Sequence, residues 1–180
     1  MPHDAKAIAN YFLQKAWEEG QDIDPMKVQK LVYFAHGWYL AIYDEALINS
    51  RIQAWEYGPV LPTLYEEFKA YGRGPIRELA MDVEFTRTQD GKLEVRTHVH
   101  DLRDNAGSEQ LVTLRRFLDR IWEVYGQYSA VQLSNMTHVP EGPWAQVTES
   151  SWLPDGKLPK GLPINNQTIR PYFASLRAQG

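Results

Sequence analysis

The sequence predicts a mainly α-helical fold: a compact bundle of about six helices around a central apolar helix at 25–43, with one peripheral β-hairpin at about 82–99. Three observations predict it. The segment Pro25–Tyr43 is apolar on nearly every side, as a helix covered by others must be. Four further segments carry apolar residues at helical spacing behind recognisable start signals. A single stretch, around Asp90–Gly91, alternates like two strands about a turn. The chain has 180 residues and a mass of 20.8 kDa, which predicts one domain over 1–180. A chain of that size buries about 70% of its surface, leaving roughly 9,000 Å² exposed.

The first helix starts at Asp4, an N-cap residue, and stops at Gly20, with Ile8, Phe12, Leu13 and Ala16 on one face. Asp24–Pro25 is the second start signal, a cap followed by proline at the first helical position. In the helix that follows, Val28, Leu31, Val32, Ala35, Trp38, Tyr39 and Ile42 form a broad face that Phe34 and Leu40 extend. Gly37 inside it costs roughly 1 kcal/mol relative to alanine, so a close helix crossing is expected there. Ser50–Tyr57 reads as extended and ends at Gly58–Pro59. Pro62 then opens a helix to Tyr71 whose Glu66–Glu67 read as a solvated face.

The hairpin register follows from charge. A two-residue Asp90–Gly91 turn pairs Phe85 with Arg96 and scrambles the faces. A three-residue loop, Gln89–Gly91, pairs Phe85 with Val95, Arg87 with Leu93, Glu84 with Arg96 and Asp82 with His98. Opposite charges meet, so the longer loop is predicted. Ser108 opens a long helix to Tyr125, with Leu111, Leu114, Leu118, Ile121, Trp122 and Tyr125 in line. Ser129–Gln132 has the form of a capping box for a short helix towards His138. Pro140–Pro163 reads as a long ordered loop with one helical turn around Trp144. A last helix spans about Thr168–Arg177, where Pro171 is acceptable only in the first turn.

The chemistry offers little for an enzyme. There are no cysteines, which removes disulfides and thiolate sites, and the five histidines form no convincing metal set with the carboxylates. His98 and His100 share a strand face opposite Asp82, which reads as a solvated pairing. No phosphate loop, nucleophile elbow or zincin motif is present. No catalytic residue, cofactor or metal is assigned. Net charge −4 has the wrong sign for a nucleic-acid binder, and no apolar run is long enough to span a membrane. Without a signal peptide at Met1–Asp4, a cytoplasmic protein is expected. Aromatic content is 12%, and Trp and Tyr serve cores and protein interfaces alike.

Several motifs change the reading. Met26–Ala41 (MKVQKLVYFAHGWYLA) and Ala54–Gly72 (AWEYGPVLPTLYEEFKAYG) resemble the Panacea antitoxin domain, also called SocA-like or GepA-like. So do Trp122–Gly126 (WEVYG), Leu133–His138 (LSNMTH) and Gly142–Trp144 (GPW), in the expected order, with Asn10–Leu13 and Arg170–Phe173 matching the outer helices. The resemblance covers nearly the whole chain and is weakest across the hairpin. It implies a mainly helical antitoxin, phage-associated or chromosomal, with no catalytic residues or cofactor. It also implies a cognate toxin encoded by the adjacent gene. Neutralisation would proceed by direct binding, or by acting as an adaptor that delivers the toxin to an ATP-dependent protease. No separate DNA-binding domain is expected within these 180 residues.

Tyr33–Trp38 is expected to define the core, and loop aromatics are the better partner-binding candidates. Trp55, Tyr57, Pro59 and Trp144 are therefore assigned to the partner surface. The alternative is an enzyme with a small-molecule or nucleotide pocket around His36, Tyr39 and His138. A third reading is a structural subunit of a phage particle.

Overall fold

The computed structural model describes residues 1–105 and 107–179. In chain order these form α1 (Ala5–Glu18), α2 (Pro25–Tyr43), β1 (Gln53–Trp55), β2 (Gly58–Val60), α3 (Pro62–Phe68), β3 (Met81–Arg87), β4 (Leu93–Val99), α4 (Ser108–Tyr125), α5 (Ala130–Thr137), α6 (Pro143–Thr148) and α7 (Asn166–Gln179). The fold is mainly α-helical with a peripheral hairpin, as the sequence predicts, and α2 is its axis. This helix packs against α1, α3, α4, α5, α7 and β2. The Asp4 and Asp24 side chains cap α1 and α2, accepting from the backbone N–H groups of Lys6 and Lys27 at 2.8 Å. No helix among the described residues is long and apolar enough to cross a membrane.

The core is aromatic where α2 meets α7. Phe173 lies edge-on to Tyr33, Phe34 and Trp38, and Phe34 stacks on Tyr125 at 4.4 Å. Trp38 is half-buried; its indole N–H donates to the Tyr125 hydroxyl at 2.8 Å. Gly37 explains how α7 comes so close: a Cβ there would lie 2.2–2.5 Å from three ring carbons of Phe173. The close crossing expected at this glycine is present. On α4, Phe117 joins the face identified from spacing and is buried.

Some boundaries move. Gly58–Pro59 does not end the extended segment but forms β2, which pairs antiparallel with β1 through a two-residue turn at Glu56–Tyr57. The reason is long-range, because side chains from other helices hold this backbone. The stretch read as one long loop contains α6, at the turn expected around Trp144. Helix α7 begins two residues earlier than expected, so Pro171 lies past its first turn. Among the described residues there are seven α-helices, against the six or so expected.

The β3–β4 register has every pair argued from charge and face: Asp82 opposite His98, Glu84 opposite Arg96, Phe85 opposite Val95 and Arg87 opposite Leu93. Gly91 takes the left-handed conformation (φ +80°) that a three-residue loop requires. The base of this hairpin is tied to the body. The Asn10 carboxamide donates to Ala80 O and His100 O at 2.9 Å and accepts from Ala80 N–H at 2.7 Å. Lys6 Nζ bridges Glu67 and Asp82 at 2.8 Å each, so Glu67 is an anchor rather than a solvated residue. All of β4 and most of β3 stay exposed. The accessible surface is accordingly 10,659 Å², above the roughly 9,000 Å² of a compact chain of this mass.

The Gly37 contact makes a quantitative prediction. Gly37→Ala drives a methyl into a fully buried ring, so it should destabilise the protein by about 1–3 kcal/mol despite the better helix propensity of alanine. Thermal melts read the loss as roughly 2–4 °C per kcal/mol. A melting temperature at or above that of the wild type would show that α7 yields freely.

Candidate functional site

The β1–β2 turn is where segments far apart in the chain meet, and its carbonyls are the meeting points. Lys30 on α2 is fully buried and donates from Nζ to Tyr57 O at 2.6 Å and Pro59 O at 2.9 Å. Ser134 on α5 adds a hydroxyl bond to Tyr57 O at 3.0 Å. His138, the C-cap of α5, sets Nδ1 2.7 Å from Ser134 O and Nε2 3.2 Å from Glu56 O. The Trp144 indole N–H on α6 donates to Trp55 O at 2.7 Å. Gln29 clasps the strand end from both sides, donating to Leu61 O at 3.0 Å and accepting from Leu61 N–H at 2.9 Å. A turn that water would otherwise solvate is thus held by side chains of α2, α5 and α6.

Gly58 sits at the centre of this arrangement. Its φ of +98° lies in the region open to glycine, and a Cβ would fall 2.4 Å from Thr137 Oγ1 and 2.9 Å from Lys30 Nζ. Burial pushes the Lys30 pKa down to about 7. A buried ammonium survives only with strong acceptors, and two backbone carbonyls supply them.

With its inner face pinned, the turn presents its outer face to solvent. Tyr57 is 62% exposed, and Trp55, half-buried, meets Tyr65 edge-on at 4.8 Å. Trp152, 46% exposed, packs near Trp144 at 6.4 Å. Between β1 and the 156–161 loop lies an open cleft of about 610 Å³ lined by Trp55, Trp152, Lys157, Leu158, Pro159 and Lys160.

The four residues assigned from sequence to a partner surface fall on this one turn and its support. Tyr57 and Trp55 face outward. Pro59 is buried in β2, and Trp144 is half-buried as the donor to Trp55 O. Sequence reasoning missed Lys30, Gln29 and Ser134, which hold the turn, and Tyr65 and Trp152, which widen its outer face. The available signal was Lys30 itself, a cation at a core position of a nearly apolar helix.

The residues of the alternative enzyme pocket do not converge. His36 Nε2 lies 2.9 Å from Asn166 Oδ1 on α7, Tyr39 packs on Phe117 of α4, and His138 belongs to the turn. Of the run Tyr33–Trp38 expected to define the core, Tyr33 to Gly37 are buried and Trp38 is only half-buried.

Residues 28–145 match the family described as antitoxin SocA-like, Panacea domain. Antitoxin SocA of Caulobacter vibrioides (strain NA1000 / CB15N) is 30% identical over 170 residues, covering 94% of this chain and 82% of that relative. No solved structure matches.

The buried lysine makes stability depend on pH. Between about 7 and the ordinary lysine value of 10.5, the unfolded chain holds a proton at Lys30 that the folded chain has lost. Stability should therefore rise with pH across that window. Lys30→Met should remove most of the rise, leaving the smaller one from Lys27, which burial shifts in the same direction. The comparison belongs below pH 10, before the tyrosines titrate. Denaturant melts at pH 7 and 9.5 decide it, and equal slopes in both proteins would refute the assignment.

Proposed function

The chain belongs to the SocA-like antitoxin family with its Panacea domain, and from that premise we propose that it neutralises a cognate toxin in the cytoplasm by binding it directly. The toxin is a protein encoded by the adjacent gene. It is gripped on the outer face of the β1–β2 turn, with Tyr57, Trp55 and Trp152 as anchors and Trp144 and Pro59 as the support behind them. The observation that carries this reading is the exposed aromatic edge on a turn whose backbone is fixed from behind.

Protein interfaces concentrate their energy in a few Trp, Tyr and Arg residues, and a rigid scaffold lowers the ordering cost of binding. The cleft beside Trp55 and Trp152 offers an apolar socket of the size that accepts side chains of a partner. Delivery of the toxin to an ATP-dependent protease requires the same contact first, so the binding step is common to both routes.

The experiment is a calorimetric titration of the cognate toxin against Tyr57→Ala and Trp152→Ala. Both side chains are exposed enough that the fold should melt normally. Each truncation should weaken binding by about 2 kcal/mol, roughly 30-fold, and affinity should vary little with salt because the anchors are aromatic. Folded variants with wild-type affinity would remove the toxin from this surface. A binding constant that collapses between low and physiological salt would place it on charged groups instead.

A further inference from the structure

The β3–β4 hairpin lies outside everything assigned so far, and its outer edge is chemically specific. All seven residues of β4 are exposed, and among the described residues β4 pairs only with β3. On one face Val83, Phe85, Leu93, Val95 and Val99 are all exposed, Phe85 by 66%. A lone two-stranded hairpin is marginal in water, and folded proteins blunt open edges with proline, bulges or lysine. Neither strand carries proline or lysine, and the register runs unbroken from Met81–Val99 to Arg87–Leu93.

The hydrogen-bond parity of the pair shows which groups are free. Thr88 N–H donates to Lys92 O at 2.9 Å, which makes Thr88–Lys92 a bonded pair. Bonded and non-bonded pairs alternate in an antiparallel ladder, so 86/94, 84/96 and 82/98 are bonded inward. The N–H and C=O groups of Leu93, Val95, Thr97 and Val99 therefore point away from β3, along the open edge.

That edge complements itself. We propose that two copies of this chain pair antiparallel along β4, about a two-fold axis at Val95, to form a four-stranded sheet. In this register Val95 meets Val95 of the second copy as a bonded pair. Leu93 meets Thr97, also with outward groups on both sides. Glu94 meets Arg96 at non-bonded positions, where side chains approach most closely, and symmetry makes that ion pair twice. Shifting the axis to Arg96 sets two arginines against each other, and shifting it to Thr97 leaves Glu94 beyond Arg96. On β3 the acids Asp82 and Glu84 occupy inward-bonded positions and Arg87 an outward one, so no register of that edge forms an ion pair. The axis at Val95 also brings the apolar faces of the two hairpins side by side.

One strand edge buries well under the roughly 800 Å² per partner of a tight complex, so dissociation should fall in the micromolar range. Sedimentation of the full chain alone tests the proposal, from about 5 μM to 1 mM. No toxin is needed, so the result is independent of the proposed function. The mass should rise from 20.8 kDa towards twice that value with concentration. Val95→Pro should be monomeric, because the N–H it removes faces outward and the ladder to β3 keeps its bonds. Glu94→Arg and Arg96→Glu should each weaken dimerisation at least 10-fold, and the double exchange should restore it, because residue 94 meets 96 across the axis. A wild-type chain that stays monomeric at 1 mM overturns the proposal. So does a double exchange that folds normally, by circular dichroism, yet fails to restore the dimer.

Discussion

A lysine buried with no carboxylate beside it constrains this structure more than any other group. Lys30 Nζ is buried, and its hydrogen-bond acceptors are the carbonyls of Tyr57 and Pro59. Desolvating an ammonium costs several kcal/mol unless strong acceptors replace the water. The acceptors therefore must stay where they are, and the β1–β2 turn is fixed relative to α2. Gly58 follows from the same constraint, since any side chain would meet Lys30 and Thr137. Ser134 adds a second donor to Tyr57 O, and His138 and Trp144 reach the carbonyls of Glu56 and Trp55. The outer face is left to aromatic side chains on a backbone that cannot relax.

Local signals were legible wherever local energetics decide. Asp4 and Asp24 cap helices because a carboxylate satisfies free N–H groups within a few residues. The β3–β4 register followed from pairing charges and faces across a turn only three residues long. Gly37 announced a close crossing because glycine inside an apolar helix has a cost that only packing repays. The turn at 56–60 was not legible, because its conformation is imposed by Lys30, 27 residues away, and by Ser134, 77 residues away. From sequence, Gly58–Pro59 reads as a break; in the fold it is a strand held from behind.

The same division explains the candidate site. Tyr57 reads as an exposed loop aromatic and is one, whereas Pro59 and Trp144, which also read as loop residues, serve the inside of the turn. Trp152 lay unnoticed in a proline-rich stretch because only the fold brings it beside Trp144. Four of the motifs that carry the resemblance contribute to one joint: Gln29 and Lys30, then Trp55–Pro59, then Ser134–His138, then Trp144. They describe how the turn is held, while the residues that face a partner lie on or beside it.

Hydrogen–deuterium exchange tests the central claim most directly, by comparing wild type with Lys30→Met at pH 7. If Lys30 holds the turn, the variant should exchange faster at 53–61 and along α5 and α6, with α1 and the α2–α7 contact unchanged. Protection of 53–61 equal to that of the wild type would contradict the account, because the turn would then be held without its buried lysine.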